Sequence, residues 1–554
     1  MKFLNSKEKN LLNYFLSWFF LCLGFLLLIF AFIKLYKFSI SEDFPWLLST
    51  GEYILTNLKF PSEDPFTWSG EGRQIIIYQW LFSSLVAAIH KIGGIFWLVK
   101  IFFLLSVFIY LIFPLLYTNP LTLALSHKGR RNKTKVGTQH AEPAFNKVEY
   151  GLIIFLVTTA SFFMASANLS IRPLVFTSLF LLIQSVLINL FFFSNKEFKN
   201  KTLVSNLSFF SLFVLWSNFH LGFFLGLVCF LLLLITSSVS LTGGAKTTVQ
   251  QKLFIWLKSK KEIALVLLSS TLGSLVNPYG FKLYKHLWQA SGSSFFKTFI
   301  NELQPLDFSL VKFKIFALFF VLVLWLFVVN IPTLFPQLLL HKGRSEQKNL
   351  STQRLYQLSV LLLFCIATLL CKRFIIWSSL FFVLYLPEPF SEQLKIYKPI
   401  QALIKSFEDY KVIYFSGLTL LVLAFILIPE RYFPLGSCQS VVGVISEYKQ
   451  NYQRKNDLIF NDPLIGSCFQ LQKIKNKPYA DTRFDFFGEE FVKKWQDKLN
   501  LNGVSKVPID EYFASKGINT IIIAKTWPLY EHLSDSKDYN LEFEDEKAAI
   551  IRKK

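Results

Sequence analysis

Two acidic residues, Glu42 and Asp43, stand directly behind the first long apolar run of the chain. A third, Asp64, lies in Pro61-Ser62-Glu63-Asp64-Pro65-Phe66. Further along, Arg172-Pro173, Asn218-Phe219-His220, Asn277-Pro278-Tyr279-Gly280, Glu302 and Lys372-Arg373 each fall at a break between apolar runs. Ionisable groups beside hydrocarbon are costly, so such placement marks a functional site by default. These residue types suit group transfer from a phosphate-linked donor. Guanidinium groups hold a phosphate through paired, charge-assisted hydrogen bonds. A carboxylate takes the proton of an acceptor hydroxyl. An anionic leaving group needs positive charge beside it rather than an acid. The catalytic candidates are therefore Asp43, as base, and Asp64, as second carboxylate. The binding candidates are Glu42, Arg172, Asn218, His220, Asn277, Tyr279, Glu302, Lys372 and Arg373. This chemistry requires no cofactor; a divalent cation is compatible with it, but no Cys/His spacing suggests zinc.

Each candidate also has a structural reading. Asp43 and Asp64 could be solvated loop carboxylates, and Asp64-Pro65 a simple turn. Arg172 and Arg373 could snorkel to headgroups. His220 could be a packing histidine, and Asn277-Pro278-Tyr279-Gly280 a helix stop. Trp46, Trp80 and Trp216 fit an interfacial aromatic belt. What favours a site is that all of them fall on one side of the topology below.

The elements that would position these residues are membrane helices. Hydrophobic residues make up 53% of the 554, and Phe alone supplies 63. A soluble core of this composition would expose very large apolar patches. That excludes a soluble enzyme, a disordered chain and a disulfide-stapled secreted module. The net charge of +22 sits in short loops between apolar runs, the pattern of a cytoplasmic membrane face rather than of a nucleic-acid site.

With about 20 residues per crossing, the pattern predicts about eleven spans. They fall at Leu11–Ile33, Ile95–Tyr117, 150–166, 173–194, 204–217, 221–238, 262–276, 315–335, 357–371, 374–390 and 412–429. Ile75–His90 carries Gln79, Ser83 and His90 on one face and is expected to lie as an interfacial helix on the outer leaflet. Residues 34–94 then form one outer loop. The basic 118–150 loop, with Lys128, Arg130 and Arg131, lies inside. The expected organisation is a membrane domain over 1–429 and an extracytoplasmic α/β domain over 430–554. The N-terminus is inside and the location is a bacterial inner membrane. In the tail, Ile518–Ala524 and Ala548–Arg552 read as strands, and Glu489–Leu499 and Ile509–Lys516 as helices. Cys438 and Cys468 share the predicted outer compartment, where a disulfide can form.

The same residues resemble the GT-C superfamily of membrane glycosyltransferases. That superfamily includes protein O-mannosyltransferases, oligosaccharyltransferase catalytic subunits and lipid A aminoarabinose transferases. The features that carry the likeness are a carboxylate behind the first span, a long first outer loop with interfacial helices, and an outer C-terminal domain. The sequence looks closest to a bacterial GT-C-like group. The matching positions are Asp43, Trp46-Leu47-Leu48, Gly51, Pro61 through Thr67, and Gln79-Trp80-Leu81. They continue through Arg172-Pro173, Leu215 through His220, Asn277 through Gly280, Glu302-Leu303-Gln304-Pro305 and Arg373 to Asp481-Thr482-Arg483 and Gly488-Glu489. Two positions depart: Leu47 replaces a His of that group, and Gln79 a Glu.

The resemblance implies a mainly α, polytopic membrane fold with a small C-terminal α/β domain. It also implies transfer of a sugar from a polyprenyl-phosphate donor to an envelope acceptor at the extracytoplasmic face. The implied partners are that sugar lipid, membrane lipids and a glycan, lipid or protein acceptor, with no nucleic acid. Two other classes share the residues: a lipid-linked glycan transporter or flippase, and a non-catalytic GT-C-like scaffold. Internal repeats would favour the transporter, and the chain has none. The departures at Leu47 and Gln79 favour the scaffold.

Overall fold

A computed structural model describes residues 6–37, 40–114, 151–166, 168–194, 198–239, 249–339, 345–394, 411–429, 436–502 and 508–554. The basic 118–150 loop lies outside the described residues. Most of the described residues are helical, and among them the strands lie only in the C-terminal region. Among the described residues, six helices are long and apolar enough to cross a membrane: Trp18–Lys37, Trp80–Ile112, Pro173–Phe193, Lys201–Phe219, Val311–Asn330 and Thr352–Leu370. Lys372–Tyr385 and Pro387–Gln393 pass the same test as one pair, bent by 53°. Pro387 and Pro389 account for that bend, because neither offers a backbone N–H. Shorter apolar helices run over Ile153–Ser166, Phe223–Ser237 and Ser416–Leu427. Helix Val249–Ser274 carries Lys258, Lys260 and Lys261 ahead of its apolar end. Helices lie at each of the eleven expected places, but among the described residues only six, or seven with the bent pair, are long and apolar enough to cross a membrane.

One expectation shifts. Residues Ile75–Gln79 are not helical; the helix begins at Trp80. The sequence there alternates: Ile75 and Ile77 are buried and Ile76 and Tyr78 only half-buried, the period of an extended segment. The helix then runs on to Val107, broken at Gly94 (φ 66°, ψ −167°). That conformation is open essentially to glycine alone, so the expected division near residues 91–94 is built into the backbone.

The elements around the candidate residues follow from local chemistry. Asp43 takes the N-cap position of helix Phe44–Asn57, with Pro45 at its first turn, where proline is pre-organised. Phe44, Leu47, Leu48, Gly51 and Ile54 form its buried face, at helical spacing. At Gly51 a Cβ would collide with the backbone carbonyl of Ser83. Glycine therefore lets this helix lie directly on helix Trp80–Val107. Leu47 is fully inside that contact.

The C-terminal region holds a four-stranded sheet, ordered β1 (Ile459–Asn461), β2 (Thr520–Ala524), β4 (Ala548–Lys553), β3 (Tyr539–Glu544). β1 pairs parallel to β2, and the other pairings are antiparallel. The two predicted strands are the central ones. They carry unbroken Ile runs because both faces are covered, with Ile521, Ile523 and Ile551 in one core and Ile522 and Ile550 in the other. The predicted helices appear as Glu489–Asn500 and Ile509–Lys516. Cys438 and Cys468 are joined by a disulfide in the second core.

The first loop is fastened to this region. Trp68 donates from its backbone to Pro478 O (3.1 Å) and from its indole to Ile459 O (2.8 Å). Arg73 donates to Phe487 O (3.1 Å). The strongest fastening is Arg483, whose guanidinium donates to both oxygens of Asp64 (2.8 and 3.0 Å) and to Asp481 (2.7–3.0 Å). All three side chains are buried. Removing the cation would strand two buried carboxylates, a change that typically costs about 3–5 kcal/mol. Arg483→Gln should therefore lower the unfolding free energy of the C-terminal region by about that amount, read by urea denaturation with near-ultraviolet circular dichroism. Unchanged stability would contradict a clamp at this position.

Candidate functional site

Arg172 is held in extended conformation (φ −138°, ψ 153°) at the N-cap of helix Pro173–Ile188, as the following proline demands. Its side chain reaches two carboxylates from different parts of the chain. Nε lies 3.3 Å from Asp43 Oδ2, and Nη1 pairs with Glu302 Oε1. Glu302 sits in a single 3₁₀ turn, Asn301–Leu303. Its other oxygen accepts from Arg373 Nε and Nη2 at 3.2 and 3.0 Å. Arg373 lies in the turn Lys372–Phe374 that interrupts two apolar helices. Asp43, Arg172, Glu302 and Arg373 thus form one continuous chain of alternating charge. Sequence positions more than 300 residues apart meet in it.

Around this chain, Asp43 Oδ1 is within 3.4 Å of the Trp46 indole N–H and of the Thr482 hydroxyl. Lys372 Nζ donates to Asn301 Oδ1 (2.8 Å), and its backbone N–H to Gln304 O (2.9 Å), which anchors the Glu302 turn. Burial would push the Glu302 carboxyl up, but Arg172 and Arg373 outweigh it and hold it down at about 2. Burial disfavours the Arg172 cation, yet Asp43 and Glu302 more than compensate, and its pKa rises. Glu42, at the mouth of the cluster, is raised by desolvation and then by the charge of Asp43.

The other candidates divide. His220 follows helix Lys201–Phe219 in extended conformation. Its Nδ1 accepts the Gly222 N–H (3.1 Å) and lies 2.7 Å from the Thr177 hydroxyl, which itself accepts the Trp216 indole N–H (3.2 Å). The Gly222 bond fixes the proton of the neutral ring on Nε2. Burial, and then the nearby Arg373 charge, lower the imidazole to about 3. Asn218 is a clasp: Oδ1 accepts the Trp80 indole N–H (2.6 Å), and Nδ2 donates to Val214 O and Val276 O. Asn277 closes its own turn, with Oδ1 accepting Tyr279 N–H (2.9 Å). The Tyr279 hydroxyl accepts Ile77 N–H (2.9 Å). These three hold the helix ends and the extended 75–79 segment.

Two sequence expectations need correction. Asp64 does not join the Asp43 cluster; its carboxylate is fully buried and bonded to Arg483, Thr67 and the Phe66 N–H. The reason is the pairing with Arg483, over 400 residues away, which spacing cannot reveal. Trp216 is no belt residue, since it is completely buried. Three residues that spacing missed lie next to the cluster. Burial, and then the charges of Asp485 and Asp43, push the Tyr78 hydroxyl well above the usual tyrosine value, with Arg373 opposing them. Asp485 Oδ2 is 3.4 Å from His286 Nε2. Their only sequence signal was position: Tyr78 beside Gln79-Trp80, and Asp485 just after Asp481-Thr482-Arg483.

These pKa shifts set a pH response. A histidine held below its unfolded value binds fewer protons when folded, so stability falls as pH drops through 6.5 toward 3. Glu302 contributes in the same direction, but only below about 4.5. Between pH 6.5 and 5, His220→Gln should therefore reduce the acid sensitivity of thermal unfolding, by on the order of 1–2 kcal/mol. Superimposable pH–stability curves for the two proteins would rule out a neutral, buried His220.

No family model matches the chain, and no curated protein matches it. Solved structures do. The archaeal oligosaccharyltransferase AglB from Archaeoglobus fulgidus, in complex with an inhibitory peptide and a dolichol-phosphate, is 10% identical with a TM-score of 0.40; the match covers 90% of this chain and 69% of that one. The Archaeoglobus fulgidus oligosaccharyltransferase tethered to an acceptor peptide containing the NVT sequon is 11% identical with a TM-score of 0.44, over 90% and 68% of the two chains. At this identity and score, no residue role is carried across.

Proposed function

We propose that the protein is an integral-membrane glycosyltransferase that moves a sugar from a polyprenyl-phosphate-linked donor to an envelope acceptor. The reaction takes place at the extracytoplasmic face of a bacterial inner membrane, with the C-terminal domain on that side. The observation that carries this reading is the ion-pair chain itself. It sets a half-exposed carboxylate, Asp43, beside Arg172, which shares Glu302 with Arg373; both guanidinium groups stand at the ends of apolar helices. The buried disulfide supports an oxidising compartment for the tail.

In this reading Arg172 and Arg373 bind the donor phosphate, and Glu302 holds both in register until it arrives. Asp43 accepts the proton of the acceptor hydroxyl. The hydroxyl oxygen forms a bond to the anomeric carbon as the bond from that carbon to the phosphate oxygen breaks. The departing electron pair stays on the phosphate, next to the arginines, where fixed positive charge stabilises it best. His220, neutral and with Nε2 as donor, supplies a polar contact to donor or acceptor. Asp64 keeps the structural role of clamping the first loop to the tail. No step needs a metal; among the described residues no group of three His, Cys, Asp or Glu side chains is placed to hold one.

A second reading has one observation in its favour. Glu302 already satisfies both arginines, as it would in a scaffold that binds no donor. One experiment separates the two. Purified protein in nanodiscs is supplied with radiolabelled polyprenyl-phosphate sugars and a membrane extract as acceptor source. General-base catalysis is worth roughly 10²–10⁴-fold, so Asp43→Asn should lower transfer at least 100-fold with little change in melting temperature. Equal transfer by both proteins would remove Asp43 from the mechanism. Lipid translocation in proteoliposomes without transfer would identify a flippase.

A further inference from the structure

Glu302 already pairs with both arginines, and the cations beside it that still lack a carboxylate are lysines. Lys34 stands in the last turn of helix Ser6–Lys37, Lys312 in the first turn of helix Val311–Leu339, and Lys372 in the turn that holds Arg373. They come from three distant parts of the chain and gather at one place, since Lys312 lies within reach of the charges of Lys34, Lys372 and Glu302. All three side chains are half-buried, whereas Lys37 and Lys314 close by in sequence are exposed.

Like charges repel, and more strongly where water is scarce. Lys34 Nζ rests 4.2 Å from the centre of the Phe163 ring, and Lys312 Nζ 4.7 Å from that of Phe313. Such contacts attract a cation but neutralise no charge. Among the described residues, neither ammonium group has a carboxylate within ion-pair distance. Lys372 gives two of its three N–H donors to Asn301 Oδ1 (2.8 Å) and Gln304 Oε1 (3.4 Å), both uncharged. Asp307 also acts on Lys372, but its exposed carboxylate closes its own turn at Ser309. Lysines that merely anchor helices gather on the cytoplasmic side; in the proposed topology these three stand on the other one. Ile33 and Val311, next to them in the chain, are 45% and 60% exposed, so the ammonium groups border the surface that lipid covers. A lysine is a compact point charge that suits phosphate, and at this depth the phosphate within reach belongs to a lipid.

We infer that Lys34, Lys312 and Lys372 form a second phosphate seat beside that of Arg172 and Arg373, and that it takes a phosphate group of a membrane lipid. Two sources offer the same oxygen anions: an anionic phospholipid of the leaflet, and the second phosphate of a donor that carries two. The seat deepens the donor-phosphate reading and rests on it for its position at the outer leaflet.

Lipid binding tests the seat without transfer. Native mass spectrometry of the full-length protein is recorded with phosphatidylglycerol, phosphatidylcholine, polyprenyl monophosphate and polyprenyl diphosphate as probes. Lys312→Gln and Lys34→Gln should each weaken phosphatidylglycerol or the diphosphate at least fivefold, and the monophosphate by no more than about twofold. Lys312→Arg, which keeps the charge, should stay within about twofold of wild type for every probe. So should Lys314→Gln, the exposed control. A loss confined to the diphosphate assigns the seat to the donor, and a loss of phosphatidylglycerol assigns it to a leaflet lipid. Binding of both lipids unchanged by Lys312→Gln would overturn the seat. So would an equal loss in Lys314→Gln, which would mark general surface charge, or an equal loss of the monophosphate, which would leave only one seat. Wild type that prefers neither phosphatidylglycerol to phosphatidylcholine nor diphosphate to monophosphate would also overturn it. If Arg172→Gln releases the monophosphate while Lys312→Gln keeps every lipid, the second seat fails alone. If Lys312→Gln releases phosphatidylglycerol while Arg172→Gln keeps the monophosphate, the donor-phosphate reading fails and the lysine seat stands.

Discussion

Arg172 carries a full positive charge where an apolar helix ends, and it cannot remain there unpaired. Its solution is to draw in Asp43 from behind the first helix and Glu302 from a turn between two later ones. Glu302 in turn binds Arg373, at a junction between two further helices. Ion pairs of this kind are weak sources of net stability but costly to leave half-made. Their main consequence is placement: each helix end that contributes a charge is fixed relative to the others. The neutral residues complete the frame. Asn218 bonds to Trp80 and to Val276 O, and Tyr279 to Ile77.

The same logic joins the C-terminal region to the apolar helices. Asp64 and Arg483 are buried together in the interface between the first loop and the tail. Thr482, one residue before that arginine, touches Asp43. Asp485, two residues after it, faces Tyr78. A single buried clamp therefore places tail side chains beside Asp43 and beside Tyr78. This is why the tail reads as part of the site rather than as a separate module on a tether.

Much of this was legible from the residues. The apolar runs gave the helices, and the breaks between them held the charges that the structure brings together. The Ile-rich runs gave the two central strands because both of their faces are buried. What was illegible depended on partners distant in sequence. Nothing near Asp64 distinguishes an acid in solution from one saturated by Arg483. Ile75–Gln79 looks apolar enough for a helix, yet the tail packs Phe486 against Ile75 and Ile77 and holds the segment extended. Short β1 and the half-exposed β3 lacked the apolar density that marks a strand. Tyr78 and Asp485 gained significance only when the tail docked.

The central claim is that Arg172 and Arg373 together form a seat for a lipid-linked phosphate. The most direct test is the affinity of the purified protein for a polyprenyl monophosphate without sugar, followed by native mass spectrometry. Wild type should retain the lipid at low micromolar concentration, and Arg172→Gln and Arg373→Gln should each weaken it at least tenfold. Retention unchanged by either substitution would mean that the two guanidinium groups serve only Glu302 and Asp43, and that the donor, if there is one, binds elsewhere.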